Sequence, residues 1–214
     1  MFDLDGTLVN SAPEIVLSAN RMLADLNLPT LPSQQIENYI GEGAPNLIKR
    51  CLTGQLYGEP DSSLFKQAET LFFAHYEKSV GDSLVYAGVV AGLQALQGKG
   101  FKMACVTNKP ARFTLPLLKK SGLAHFFEIV VSGDSLPKKK PDPMQLQYIC
   151  AQFDVPTNQA LLVGDSNTDI AAARAAGCFI ITVPYGYNQG RSIDTSTVDA
   201  TVGDLTDLTT LICM

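Results

Sequence analysis

Residues 160–183 read ALLVGDSNTDIAAARAAGCFIITV, and this stretch decides the fold class. The apolar run Ala160–Val163 leads into Gly164-Asp165. Ile170–Ala176 is Ala-rich with a helical pattern, and Phe179–Val183 (FIITV) is β-branched and strand-like. Two strands joined through one helix imply a parallel pair with a crossover connection. The same alternation runs upstream. Phe101–Thr107 (FKMACVT) reads as a strand, Arg112–Ser121 as a helix, Phe127–Ser132 (FEIVVS) as a strand and Met144–Phe153 as a helix. The pattern predicts an α/β fold, a doubly wound parallel sheet with helices on both faces and ligands at the carboxyl ends of the strands.

The segment from Pro13 to Ser83 has a different character. Helix-period patterns cover Glu14–Leu26, Ser33–Tyr39, Ala44–Leu52 and Ser62–Tyr76, with no convincing strand. The expected organisation is therefore a core of residues 1–12 and 84–214, with residues 13–83 inserted as a small helical cap. The chain opens at Met1-Phe2-Asp3, which leaves almost no strand before Asp3. A parallel sheet normally buries about five residues there, so either residues precede Met1 or the first strand is unusually short.

The 214 residues suffice for one domain and a modest second one. A hydrophobic fraction of 46% with 17% charged residues is that of an ordinary globular protein. No run reaches the roughly 18 apolar residues that span a bilayer, and no basic stretch followed by an apolar one suggests a secretory signal. Net charge −5 argues against a nucleic-acid binder, which needs a basic face. Cys51, Cys105, Cys150, Cys178 and Cys213 form no C-x-x-C pair and read as reduced thiols of a cytoplasmic protein.

Four short motifs fall at the ends of expected strands. In Asp3-Leu4-Asp5-Gly6-Thr7-Leu8, side chains two apart point the same way, so both carboxylates can face one site. Gly6 permits a sharp turn out of the strand. One carboxylate can stay ionised as nucleophile or metal ligand while the other carries a proton as acid, then base. Thr107-Asn108-Lys109-Pro110 presents a hydroxyl and free backbone N–H groups before a helix, which suit a phosphoryl oxygen. Lys138-Lys139-Lys140-Pro141-Asp142-Pro143 fixes a lysine just before a proline, a point charge able to offset a phosphate dianion. Gly164-Asp165-Ser166-Asn167-Thr168-Asp169 is oxygen-rich and suits a hard cation such as Mg²⁺.

In order and placement, these four motifs resemble those of the haloacid dehalogenase superfamily: DxDGT, a Thr or Ser, a Lys, and GDxxxD. The resemblance covers essentially the whole chain. Within the superfamily, FDLDGTLVNSAPEI, YIGEGAPNLIKR, VTNKP, SGDSLPKKKPDP, VGDSNTDIAAARAAG and PYGYNQG are similar to the phosphoglycolate phosphatases.

This resemblance implies a Rossmann-like core and a Mg²⁺-dependent phosphomonoesterase working through an aspartyl-phosphate, with 2-phosphoglycolate as the expected substrate. Asp3 is the implied nucleophile and Asp5 the acid, then base. Asp3, Asp165 and the backbone carbonyl of Asp5 are the implied Mg²⁺ ligands. Thr107, with Asn108 after it, would hold the phosphoryl group, Lys140 would pair with that group and with Asp3, and Asp169 would orient Lys140 or a metal-bound water. Gly41 and Gly43 would mark a cap loop facing the site. Arg50, or Lys49, would meet a substrate carboxylate or else lie on a helix surface.

An EF-hand reading fails, because position 6 would be Leu8 counting from Asp3 and Ile170 counting from Asp165, where Gly is needed. Both histidines, His75 and His125, lie outside every motif, which disfavours a serine or cysteine hydrolase. Gly41-Glu42-Gly43 lacks the third glycine and preceding strand of a dinucleotide fingerprint. Tyr185, Gly186 and Asn188 read as a loop after the last strand. The remaining alternatives are a phosphatase for a sugar phosphate, nucleotide or pyrophosphate, a β-phosphoglucomutase-like phosphomutase, and a non-catalytic phosphate-binding protein. The expected partner is a small phosphorylated metabolite, with neither nucleic acid nor membrane. A monomer is the default, a dimer the alternative.

Overall fold

A computed structural model of the chain describes residues 1–212. Cys213 lies outside the described residues. The main sheet is parallel. Strand β3 (Ala104–Val106) pairs with β4 (Ile129–Val131), and β5 (Leu161–Gly164) pairs with β6 (Phe179–Thr182), which pairs with β7 (Ala200–Thr201). Phe2 joins the two halves. It bridges Cys105 on one side and Val163 on the other, both in parallel sense, and its backbone bonds reach Ala104 and Val106 while Asp3 N–H donates to the Val163 carbonyl. Phe2 is thus a central rung placed so that Asp3 emerges at the carboxyl end of the sheet. The tight register leaves Ala104, Cys105, Val106, Leu162, Val163 and Ile180 buried. Such continuous apolar runs are what a sheet covered on both faces requires.

Helices α5 (Val89–Gly98) and α6 (Ala111–Lys120) contribute Leu93, Leu96, Leu117 and Leu118 to the core on one face. Helices α7 (Met144–Phe153) and α8 (Asn167–Ala176) supply Leu146, Ile149, Ala172 and Ala173 to the other. The small side chains of α8 let its backbone lie close to β5 and β6, which is the reason for its alanine content. Ser166 caps α8 in a capping box with Asp169, and Gly177 ends it in the left-handed conformation.

Residues 12–79 make a helical layer. Helices α1 (Ala12–Asp25), α2 (Ser33–Glu37), α3 (Ala44–Thr53) and α4 (Ser62–Ser79) share their own apolar core, including Ile15, Met22, Ile48 and Phe72. An antiparallel pair, β1 (Val9–Asn10) with β2 (Leu84–Val85), stands where the chain enters and leaves this layer. These two-residue strands, α5, β7 and a terminal helix α9 (Leu208–Leu211) carry too little periodicity to stand out from sequence. Among the described residues no helix is long and apolar enough to cross a membrane, and Cys51, Cys105, Cys150 and Cys178 are buried free thiols.

Candidate active site

Three loops at the carboxyl ends of the strands bring the motifs together. Asp3 follows Phe2, Thr107 follows β3 and Asp165 follows β5. A fourth, the Lys140 loop, precedes α7. Lys140 is buried, and its ammonium donates to Asp3 Oδ1 at 2.8 Å, Asp169 Oδ1 at 2.6 Å and the Val106 carbonyl at 3.0 Å. Burial works against this charge, but Asp169 and Asp3 outweigh it and lift the Lys140 pKa. Asp169 is itself pinned, since its Oδ2 accepts from Ser166 Oγ at 2.6 Å. Lys140 is therefore held in one place by groups on three separate segments, the Asp3 turn, the end of β3 and the first turn of α8.

The acidic groups are crowded. Carboxylate oxygens of Asp3, Asp165 and Asp169 lie within 4.8 Å of one another. Burial, only partly offset by Lys140, raises the Asp3 pKa from 3.8 to about 7, and the neighbouring carboxylates add to the rise. Asp165 is raised well above the usual carboxylate range, chiefly by burial and then by Asp169 and Asp3. Three carboxylates face one ammonium here, and the missing positive charge is what a divalent cation supplies. An all-oxygen donor set of this kind fits a hard ion. Asp165 is aimed by Thr7 Oγ1 (2.6 Å) and by the Tyr187 backbone N–H (2.6 Å). Gly6 makes this approach possible, because at its φ of +90° a Cβ would sit 2.3 Å from Asp165 Oδ2.

Asp5 stands apart from this cluster. It accepts from Ser11 Oγ at 2.6 Å and from Lys109 Nζ at 2.9 and 3.2 Å. Thr107 is buried, its Oγ1 accepting from the Lys109 backbone N–H at 3.2 Å. Asn108 donates to the carbonyls of Lys140 (2.8 Å) and Gly41 (3.2 Å). A small cavity of about 60 Å³ opens here, with Asp3, Asp5 and Thr107 on one side and Gly41, Gly43 and Phe72 on the other.

The expected site residues Asp3, Asp5, Thr107, Asn108, Gly41 and Gly43 all line this cavity, and Lys140, Asp165 and Asp169 adjoin it. Arg50 has neither of its expected places. It is 1% exposed and off the cavity lining, and it donates to the carbonyls of Tyr39 and Leu56 and to Glu42 Oε2 at 2.6 Å. Lys49 pairs with Glu59 at 2.7 Å, and His75 pairs with Asp25. Three residues escaped the sequence reading. Lys109, inside the second motif, binds Asp5. Tyr187, inside PYGYNQG, positions Asp165. Glu42 joins Arg50 to Gln189 across the molecule. For the first two the motifs were visible, but which side chain turns inward depends on the loop.

Comparison with known proteins gives the family. The family model described as haloacid dehalogenase-like hydrolase matches residues 1–183. The chain belongs to this family. Among its relatives is a phosphoglycolate phosphatase of Nitrosospira multiformis, 52% identical over 99% of this chain and 94% of the relative. One of Thiobacillus denitrificans is 48% identical, covering 97% and 92%. The crystal structure of a predicted phosphoglycolate phosphatase from Haemophilus somnus superposes with a TM-score of 0.92 at 38% identity, covering 98% of this chain and 95% of that one. This haloacid dehalogenase-like hydrolase thus shares its sequence and its fold with these relatives along nearly the whole chain.

Proposed function

We propose that the protein is a Mg²⁺-dependent phosphomonoesterase that hydrolyses 2-phosphoglycolate to glycolate and phosphate through an aspartyl-phosphate on Asp3. The observation that carries this reading is the placement of Asp3 beside both Lys140 and the buried Asp165 and Asp169, with Asp5 facing the same cavity from outside the cluster. Relatives about half identical bear the name phosphoglycolate phosphatase, and the small cavity suits a short leaving group.

Asp3 and Asp165, with the Asp5 carbonyl, would hold Mg²⁺, which neutralises phosphoryl oxygens and lets an anionic nucleophile approach an anionic ester. Lys140 adds a fixed charge on the same group, already desolvated and already oriented, so no reorganisation is needed at the moment of transfer. Thr107 Oγ and the backbone N–H groups leading into α6 would bind the remaining phosphoryl oxygens. Asp3 Oδ attacks phosphorus and the bond to the alkoxide breaks. Asp5 gives that alkoxide its proton, then takes one from the water that releases phosphate, so the two displacements restore both carboxylates. Residues 13–83 act as the cap, closing the cavity over the leaving group.

The reading is tested by phosphate release from a panel of phosphomonoesters with and without Mg²⁺, beside Asp3→Asn. Mg²⁺-dependent turnover that prefers 2-phosphoglycolate and is absent in the variant is expected. A different preferred ester would replace the substrate, and turnover surviving in the variant would remove Asp3 as nucleophile.

A further inference from the structure

We propose that Lys109, with the hydroxyl of Tyr76, forms the subsite that binds the carboxylate of the substrate's leaving group, and so selects small phosphoesters that carry a second anion. The inference rests on the phosphatase reading above and adds the residues that choose among esters. Lys109 is the one cation among the described residues that line the cavity, and it is 7% exposed. Its ammonium has three protons to donate. Asp5 takes it through two oxygens, at 2.9 and 3.2 Å. On its remaining side it stands over the Tyr76 ring at 4.7 Å from the centroid.

The surroundings point to a ligand. Among the described residues Asn108 Oδ1 is buried without a hydrogen-bond partner, and the buried Tyr76 hydroxyl, which stands beside the Lys109 ammonium, has no other. Both residues line the same cavity, whose other walls near them are apolar: Ile15, Leu47, Phe72 and Phe113. A buried polar group without a partner is costly, and a bound group that satisfies it recovers that cost. With phosphorus at Asp3 and the bridging oxygen at Asp5, the rest of the leaving group must extend past Asp5, where Lys109 stands. One cation, one phenolic donor and apolar walls match a short chain ending in a carboxylate. A polyhydroxylated sugar would meet too few polar partners there.

The test compares kcat/KM for 2-phosphoglycolate with that for ethyl phosphate, which has the same chain length and no carboxylate, in the wild type, Lys109→Met and Lys109→Arg. The wild type is expected to favour 2-phosphoglycolate, and Lys109→Met to reduce that preference by roughly 10–100-fold, the worth of one charge-assisted hydrogen bond. Lys109→Arg is expected to restore part of it. If Lys109 serves only Asp5, both esters slow together and the ratio holds, which overturns the proposal while leaving the phosphatase reading intact. A wild type without preference overturns both the subsite and the choice of 2-phosphoglycolate. Should Lys109→Met not fold, calorimetry on the Mg²⁺-loaded wild type decides: 3-phosphonopropionate, a non-hydrolysable analogue with the carboxylate, must bind at least about tenfold tighter than propylphosphonate, and equal affinities sink the idea.

Discussion

Glu14 is a buried carboxylate that the chemistry does not use. Its Oε2 accepts from Ser83 Oγ at 2.7 Å, and its Oε1 has no partner among the described residues. The pair ties the first turn of α1 to the segment after α4, the two points where the chain crosses between the helical layer and the sheet. Burial raises the Glu14 pKa above 4.5, Asp82 and Asp5 act in the same direction, and Ser83 and Lys109 oppose them. A raised acid binds its proton more tightly in the folded protein, so its stabilising contribution is complete below pH 4.5 and is lost as pH rises through the folded value. Glu14→Gln keeps an acceptor for Ser83 and has no charge to bury. The Tm difference between Glu14→Gln and the wild type should therefore be near zero at pH 4 and grow in favour of the variant toward pH 8. A difference that does not change with pH would show that Glu14 carries no buried charge.

At the scale of elements, the loop between α2 and α3 is held from within. Arg50 on α3 reaches back to the Tyr39 carbonyl at 3.1 Å and to Glu42 at 2.6 Å, so the Gly41–Gly43 turn is fixed from its inner side. Burial opposes the Glu42 charge, but Arg50 and Gln189 more than offset it and lower its pKa. Arg50→Ala would strand Glu42 and two carbonyls, at a cost of about 3 kcal/mol, read as a lowered urea midpoint. Had Arg50 met the substrate, KM would rise while the midpoint held. Sequence placed Arg50 on a helix of the right length, but a helical pattern does not say whether a charged side chain points to solvent or to a neighbouring loop. That choice was made by the packing of α3 on α4 and by the Tyr39 and Leu56 carbonyls that Arg50 satisfies.

At the scale of the molecule, the helical layer meets the sheet through polar contacts around the cavity. Gln189 donates to Glu42 at 2.7 Å, Lys139 to the Glu42 carbonyl at 3.1 Å, and the Tyr187 hydroxyl accepts from the Ala12 N–H at 3.0 Å. If the cluster holds Mg²⁺ as proposed, the crowded carboxylates tie whole-chain stability to metal and pH together. Without metal, the Asp3 contribution is present below pH 3.8 and is lost as pH rises through about 7. Protein in EDTA should therefore lose Tm between pH 5 and pH 8. Mg²⁺ at about 100 times its Kd should restore roughly 5–10 °C at pH 8 and less at pH 5, where protons compete with it. Equal Mg²⁺ gains at both pH values would remove Asp3 from the ligand set.

By itself the sequence showed the parallel α/β core, most of its helices and the motifs that carry Asp3, Asp5, Thr107, Lys140 and Asp165. Each of these rests on local information: periodicity for the elements, and a turn at a strand end for each motif. Tertiary structure alone decided which side chains within those motifs face one another. Phe2 could become a central rung only because β3 and β5 leave a place between them. Lys109 and Lys140 both come from lysine-bearing loops, yet one pairs with Asp5 and the other with Asp3 and Asp169. Those pairings join residues over a hundred positions apart in two cases, Lys109–Asp5 and Lys140–Asp3. No local pattern encodes such a distance; it is set when the strands register and their carboxyl ends converge.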